Sequence, residues 1–245
     1  TSLSAFEGLR QYGAGRTESA LSESLANSEI LSIVPAEPQH VADVAEHYDE
    51  LDRAYRDIWG EHVHHGYWAT GEETPAQATE TLIELVASRL DLAPGLALCD
   101  IGCGYGATAE YLAERYESSV TGFTISSRQA ERAAARVPLR GSLRILQRDW
   151  LDNNLPEASF DRAYAIESSE HMPDKAAFFE QAWRTLRPGG RLVVCAWFSA
   201  PAPTPSPSLI CWSARRWSAG GLSACSTPGP ASRPRFTSSF PPGAT

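Results

Sequence analysis

Apolar residues recur at Val41, Val44, Tyr48, Leu51, Tyr55 and Ile58 in alternating steps of three and four, which predicts an amphipathic helical segment ahead of the core. A second helix is predicted from Thr74. Thr74 and Gln77 have capping-box spacing, Pro75 suits the first helical position, and Leu82, Leu85, Val86 and Leu90 supply the buried face. Beyond it the period changes. Short apolar runs (LALCDI, SVTGF, LRILQ, FDRAYAI and RLVVCAW) alternate with helical patterns over Thr108–Arg115, Ser127–Val137 and Pro173–Leu186. Strands separated by helices imply crossover units, hence an α/β fold with a doubly wound parallel sheet and helices on both faces.

The ends of the chain differ from this middle. Residues 1–36 are rich in Ser, Ala and Glu with weak periodicity, and read as a flexible leader; 37–92 form a helical cap or lid, and 93–200 the core. Residues 201–245 contain no Asp or Glu although the chain has 30, and hold nine of its 17 prolines. Such a stretch is not expected to form sheet. It reads as a disordered tail or as the product of a shifted reading frame, and either leaves the sheet with an incomplete C-terminal edge.

Composition narrows the function. A chain of 245 residues, 42% hydrophobic, is long enough for a full α/β core. A net charge of −9 disfavours a phosphate-backbone partner, so no nucleic acid is expected. No run approaches the roughly 20 apolar residues of a membrane span, and the polar opening TSLSAFEGLRQYG lacks a signal-peptide core, so a cytoplasmic protein is expected. Five cysteines without a CxxC pair give no disulfide framework or zinc pattern and are expected as reduced thiols.

The candidate chemistry centres on CDIGCGYGATAEYL, where Gly102, Gly104 and Gly106 follow the first apolar run. A bare strand-to-helix turn lets a ligand approach the main chain and aims a helix N-terminus at it. Dinucleotide sites and S-adenosylmethionine (SAM) sites both use such a turn, and the spacing fits either. Asp100 suits a cationic group such as the SAM ammonium and sits awkwardly beside a pyrophosphate. An NAD enzyme would place an acid near the end of the second strand, where this chain has Thr124. Thr124 and Gln129 offer neutral contacts to ribose hydroxyls, although Ser126-x-x-Gln129 is equally a capping box. His171, ahead of a predicted helix, is pulled towards the neutral form by the helix dipole and towards the charged form by Glu167, Glu170 and Asp174. The EHVHH cluster lacks the HExxH spacing of a zinc site, so no metal is expected.

The segments LCDIGCGYGATAEYLAERY, VTGFTISSRQAERA, RDWLD, ESSEHMPDKAAFFEQAWRTLRPGGRLVV and YDELDRAYRDIWGEHVHHGYW resemble the class I SAM-dependent methyltransferases. They are most similar to the gamma-tocopherol methyltransferase-like small-molecule enzymes, from about Tyr48 to Trp197. The resemblance implies a Rossmann-like core in which Asp100, Gly102, Gly104 and Gly106 line the methionine end of SAM and Thr124 and Gln129 lie near the ribose. It implies that Asp149 and Trp150 hold the adenine, with core packing the alternative for Trp150. Glu167 and His171 would face the transferring methyl, His171 as base or positioning group. Tyr48, His65, Tyr67 and Trp68 would form the lid over cofactor and substrate, the aromatics attracting the sulfonium. The implied reaction is methyl transfer to a small hydrophobic phenol, with S-adenosylhomocysteine (SAH) as product. N- or C-methylation, SAM binding without turnover and NAD-dependent oxidation are the alternatives, and the oligomeric state is left open.

Overall fold

A computed structural model describes residues 40–199, 207–216 and 222–224. The leader proposed for 1–36 lies outside them. Two short helices, α1 (Val41–Glu50) and α2 (Asp52–Trp59), precede α3 (Pro75–Leu90). The single amphipathic segment expected from the pattern breaks at Leu51 (φ −92°, ψ 8°). The break brings two acids onto a distant helix, as described below. At α3 the expected capping box forms in both directions between Thr74 and Gln77.

The core follows as β1 (Ala97–Ile101), α4 (Ala107–Tyr116), β2 (Ser119–Thr124), α5 (Ser127–Ala134), β3 (Ser142–Gln147), β4 (Phe160–Ile166), α6 (Lys175–Thr185) and β5 (Leu186–Ser199). Two further strands, β6 (Pro207–Arg216) and β7 (Leu222–Ala224), complete a seven-stranded sheet of order β3-β2-β1-β4-β5-β6-β7. β1 to β5 are parallel, and β6 and β7 add as antiparallel neighbours. The order reverses at β1, and the carboxyl edge of the sheet beside that strand is where ligands of open α/β sheets bind.

The sheet is buried on both faces. Leu98, Val120, Tyr164, Val193 and Cys195 pack against Leu82, Ile83, Val86 and Leu90 of α3 and Leu112 of α4. Their neighbours Cys99, Ile101, Phe123, Ala163, Leu192 and Val194 pack on the other side with Trp150 and with Phe178 and Ala182 of α6. Each buried large apolar side chain contributes about 1.5–3 kcal/mol relative to exposure. Pro188-Gly189-Gly190 forms an irregularity in β5, where the register slips between Phe160 and Arg162 and Gly189 has φ +81°.

Two expectations are corrected here. The position beside β5 is filled: Ser199 through Arg191 pair with Pro207 through Arg215, so backbone groups expected to lie open at the edge are engaged. Sheet pairing uses main-chain donors and acceptors, and a tail poor in acids still provides them. Cys195 and Cys211, directly opposed on β5 and β6, form a disulfide, whereas reduced thiols were expected. Cys99 and Cys103 are free and buried.

Candidate functional site

Two connected chambers lie along the carboxyl edge of β1, β2 and β4 and share Val63, Gly102, Gly104 and Ile166. The smaller, about 330 Å³, is bounded by Asp100, Thr108, Tyr164, His62 and His64. The larger, about 750 Å³ counting its open mouth, extends past Thr124, Gln129, Asp149 and Trp150 to Tyr48, Glu167, His171 and Met172.

Buried polar atoms lack partners in the small chamber. Asp100 Oδ2 and the Tyr164 hydroxyl make no hydrogen bond among the described residues. Burial pushes the Asp100 carboxyl up to about 7, with the nearby Tyr164 hydroxyl acting in the opposite direction. An ionised carboxylate at that depth is costly unless a cation joins it. On the opposite wall, His62 Nδ1 and His64 Nε2 both contact Thr108 Oγ1, at 3.0 and 3.1 Å. His64 Nδ1 lies 2.8 Å from the His65 carbonyl and must donate to it, so its Nε2 accepts from Thr108 and the hydroxyl accepts from His62. Burial lowers both histidines, His62 to about 4, which keeps these rings neutral.

The glycines of the turn divide by task. Gly104 has φ +53°, and a Cβ there would meet nothing nearer than Val63 at 3.8 Å, so the main chain faces open chamber. Gly106 (φ +75°) instead packs on α5, where a Cβ would come within 2.9 Å of Ala133. It belongs to helix packing and does not line either chamber. Of the three glycines expected at the ligand, Gly102 and Gly104 line the chambers and Gly106 does not.

On the β2 side, Thr124 Oγ1 donates to Gln129 Oε1 at 2.8 Å. Ser126 caps Gln129 N, but the Gln129 side chain turns to Thr124, so the expected capping box is only half formed. Asp149 lines the larger chamber while its Oδ1 accepts from Leu151 N at 2.9 Å. The Trp150 indole is 2% exposed, sits edge-on to Phe123 and donates to the Phe178 carbonyl, so most of it is core.

Past β4 the chain turns sharply. Glu167 takes a left-handed φ of +50°, which a non-glycine residue holds only when its surroundings enforce it. Its N–H donates to the Cys195 carbonyl at 2.8 Å, and its carboxylate receives His65 N at 3.0 Å and His65 Nδ1 at 2.6 Å. The His65 ring is bracketed by Trp59 and Trp197, with centroids 4.6 and 4.7 Å away. A short 3-10 turn, Ser169–His171, then presents His171 Nε2 to the Tyr48 hydroxyl at 3.0 Å. Burial holds His171 below the usual imidazole range, Glu170 opposes this, and Lys175 and His47 reinforce it. Burial, with Tyr55, Glu170 and Glu167 nearby, raises Tyr48 to about 12.

Asp49 and Asp52, which the sequence reading passed over, dock the cap. The Ser126 hydroxyl, the Ser127 hydroxyl (2.7 Å) and Arg128 N (3.2 Å) donate to Asp49 at the N-terminus of α5. Desolvation works against ionisation there, but these bonds hold the Asp49 carboxyl below its ordinary value. Asp52 is 5% exposed and receives Arg132 from α5 and Arg56. Their three-residue spacing in the predicted helical segment was the available signal, but an ion pair across 80 positions has no local pattern.

A family model described as mycolic acid cyclopropane synthetase matches residues 36–203, more than half of the chain. The chain belongs to that family of class I SAM-dependent methyltransferases. Among curated relatives, the 27-O-demethylrifamycin SV methyltransferase of Amycolatopsis mediterranei is 38% identical over 66% of this chain and 60% of its own length. The chloroplastic tocopherol O-methyltransferase of Arabidopsis thaliana is 32% identical over 63% and 49%. The chain thus spans only about half to three-fifths of these relatives' length. The solved [4+2]-cyclase SpnF superposes with TM-score 0.63 at 31% identity, covering 70% of this chain and 65% of that one. The mycolic acid cyclopropane synthase CmaA1, solved with SAH and CTAB, gives 0.57 at 30% identity, covering 66% and 58%.

Within the family fold, the structure brings Asp100, Gly102, Gly104, Thr124, Gln129, Asp149, Trp150, Glu167, His171 and Tyr48 around the chambers. It does not bring the expected aromatic lid. Tyr67 packs against the core behind α3, and the Trp68 indole donates to the Glu73 carbonyl, so neither lines a chamber. Tyr67 N bonds Ala78 O at 2.8 Å, which ties this part of HHGYW to α3 and turns its rings away. His62, Val63 and His64, of the preceding EHVHH run, line the chambers instead. Among the described residues no group of three or more His, Cys, Asp or Glu could hold a metal, and no helix is long and apolar enough to cross a membrane.

Proposed function

We propose that this chain binds SAM along the chambers and transfers its methyl group to the oxygen of a small hydrophobic phenol. The observation that carries the reading is Asp100: a buried carboxyl oxygen without a hydrogen-bond partner among the described residues, at a chamber that the bare main chain of Gly104 also lines. That donor set fits a ligand with an ammonium at one end. Asp100 would hold the ammonium, the Gly104 main chain would let the ligand pass close, Thr124 and Gln129 would meet the ribose, and Asp149 would accept from the adenine amine.

Bound SAM supplies an activated methyl on a cationic sulfur, so the protein's part is mainly alignment, which can be worth about 7–11 kcal/mol of barrier. Val41, Val44 and Tyr48 of α1 wall the larger chamber, and the His65–Glu167 bond fastens the segment after α2 to the sheet edge. A phenol entering beside Met172 would find Tyr48 and His171 at hand. A net charge of −9 favours a small neutral acceptor over a nucleic acid, and a cytoplasmic setting is part of the reading.

A second reading is favoured by one observation: a relative at 31% identity is described as a [4+2]-cyclase, so this fold also serves chemistry other than methyl transfer. Here the chain would bind SAM without spending it. Calorimetry with SAH and NAD tests the binding shared by both readings, and SAH binding without NAD binding is the expected outcome. NAD binding alone would overturn both. Methyl transfer to a panel of phenols separates them.

A further inference from the structure

Resting on the methyl-transfer reading, we propose that Tyr48 is the catalytic residue that takes the acceptor's proton, passing its own proton to His171. The juxtaposition that carries this is the Tyr48 hydroxyl 3.0 Å from His171 Nε2, with both residues lining the larger chamber. The other ionisable groups on that wall are committed. Both Glu167 oxygens are held by His65, and Asp149 accepts from Leu151 N. Glu170 accepts from Trp197 N at 2.8 Å, and Lys175 caps the carbonyls of Ser169, Glu170 and Met172.

The direction of the Tyr48–His171 bond follows from chemistry. A tyrosine raised to about 12 keeps its proton, and an imidazole held below its usual range offers a lone pair. Tyr48 therefore donates to Nε2, and His171 carries its single proton on Nδ1. The nitrogen bonded to Tyr48 is thus blocked as a direct acceptor, while the tyrosine oxygen retains a lone pair for a second donor. A phenol placed there gives its proton to Tyr48 Oη as Tyr48 gives its own to His171 Nε2. The phenol oxygen pair forms the new bond to the methyl carbon, and the C–S pair returns to sulfur. The imidazolium formed faces Glu170, which favours it, and Lys175 and His47, which oppose it. The tyrosine faces Tyr55, Glu170 and Glu167, all of which disfavour a lasting tyrosinate, so the proton passes through without residing there.

The test uses the full chain saturated with SAH and 4-nitrophenol, whose ionised form absorbs in the visible, with nitrogen NMR of the His171 ring. The expected result is that the bound probe ionises at lower pH than the free one while His171 gains a second proton. Tyr48→Phe should abolish both signals, and His171→Gln should abolish the probe ionisation. Probe ionisation that is absent in the wild type, or unchanged in Tyr48→Phe, overturns the relay. In turnover with SAM and phenols of graded acidity, Tyr48→Phe should lower kcat by about 10²- to 10⁴-fold with little change in KM, and less for acidic phenols. The double variant should lose no more than either single one, and independent, multiplying losses overturn the relay. A wild type that ionises the probe but methylates no phenol supports the relay and removes methyl transfer. One that methylates equally well as Tyr48→Phe removes the relay alone.

Discussion

The two chambers solve opposite problems. Beside Asp100 a carboxyl oxygen and the neighbouring Tyr164 hydroxyl are buried without a formed hydrogen bond among the described residues, whereas around His171 the polar groups satisfy one another: Tyr48 with His171 and His65 with Glu167. An unpaired buried group costs stability until something completes it, and a paired network holds its shape alone. On the proposed reading, the first is a place for a ligand that completes the fold and the second a place where partners exchange protons. The instability is concentrated where the cofactor would bind.

The comparison breaks most completely at Gly104. Gly104→Val puts a branched side chain into open chamber at φ +53°, and SAH binding by calorimetry is expected to disappear while the circular dichroism of the fold persists. Retained binding would move the ligand away from this turn.

Asp100 gives the next largest effect, read as stability. Its folded-state value of about 7 lies above the ordinary aspartate value of 3.8, so the native state binds the proton more tightly and unfolding stability falls as pH rises from about 4 to about 7. The loss is on the order of 4 kcal/mol if nothing else compensates. Asp100→Asn should flatten that slope in urea titrations and be more stable than wild type at pH 8. An unchanged slope would mean that the acid is not strained by burial.

Outside both chambers, Cys195–Cys211 closes a loop of sequence separation 16, for which the chain-entropy estimate is about 3 kcal/mol. Cys211→Ser should lower the melting temperature while leaving SAH affinity unchanged, because neither cysteine lines a chamber. A loss of affinity would tie the site to the β5–β6 pair, through the Cys195 carbonyl that holds Glu167 N.

The smallest expected effect sharpens the paired side. Glu167→Gln keeps size but weakens the bond to a His65 whose side chain is 38% exposed, so solvent screening limits the loss to about 1 kcal/mol. Hydrogen exchange over 61–68 should accelerate with the core unchanged, and an unchanged rate would show that packing between Trp59 and Trp197 suffices to hold the cap.

Legibility in the sequence follows the range of the interactions. The Thr74 capping box, the alternation of β1 through β5 with helices and the glycine turn after Asp100 are set by neighbours within a few positions, and these were readable. The break at Leu51 was not, because the partners of Asp49 and Asp52 on either side of it, Ser126 and Arg132 at α5, lie nearly 80 positions away. Tyr67 and Trp68 were assigned by motif, but their direction depends on α3, which takes the Tyr67 amide. β6 was missed because side-chain composition was read for a segment whose placement comes from main-chain pairing with β5.

The central claim, that Asp100 awaits a cationic group, is tested most directly by titrating SAH into the chain at pH 6 in two buffers of different ionisation enthalpy. An ammonium arriving beside a carboxyl with a value of about 7 must drive its proton off, so about one proton should be released per SAH bound, and Asp100→Asn should release none. Tight SAH binding with no proton released, or equal release from Asp100→Asn, would contradict the account.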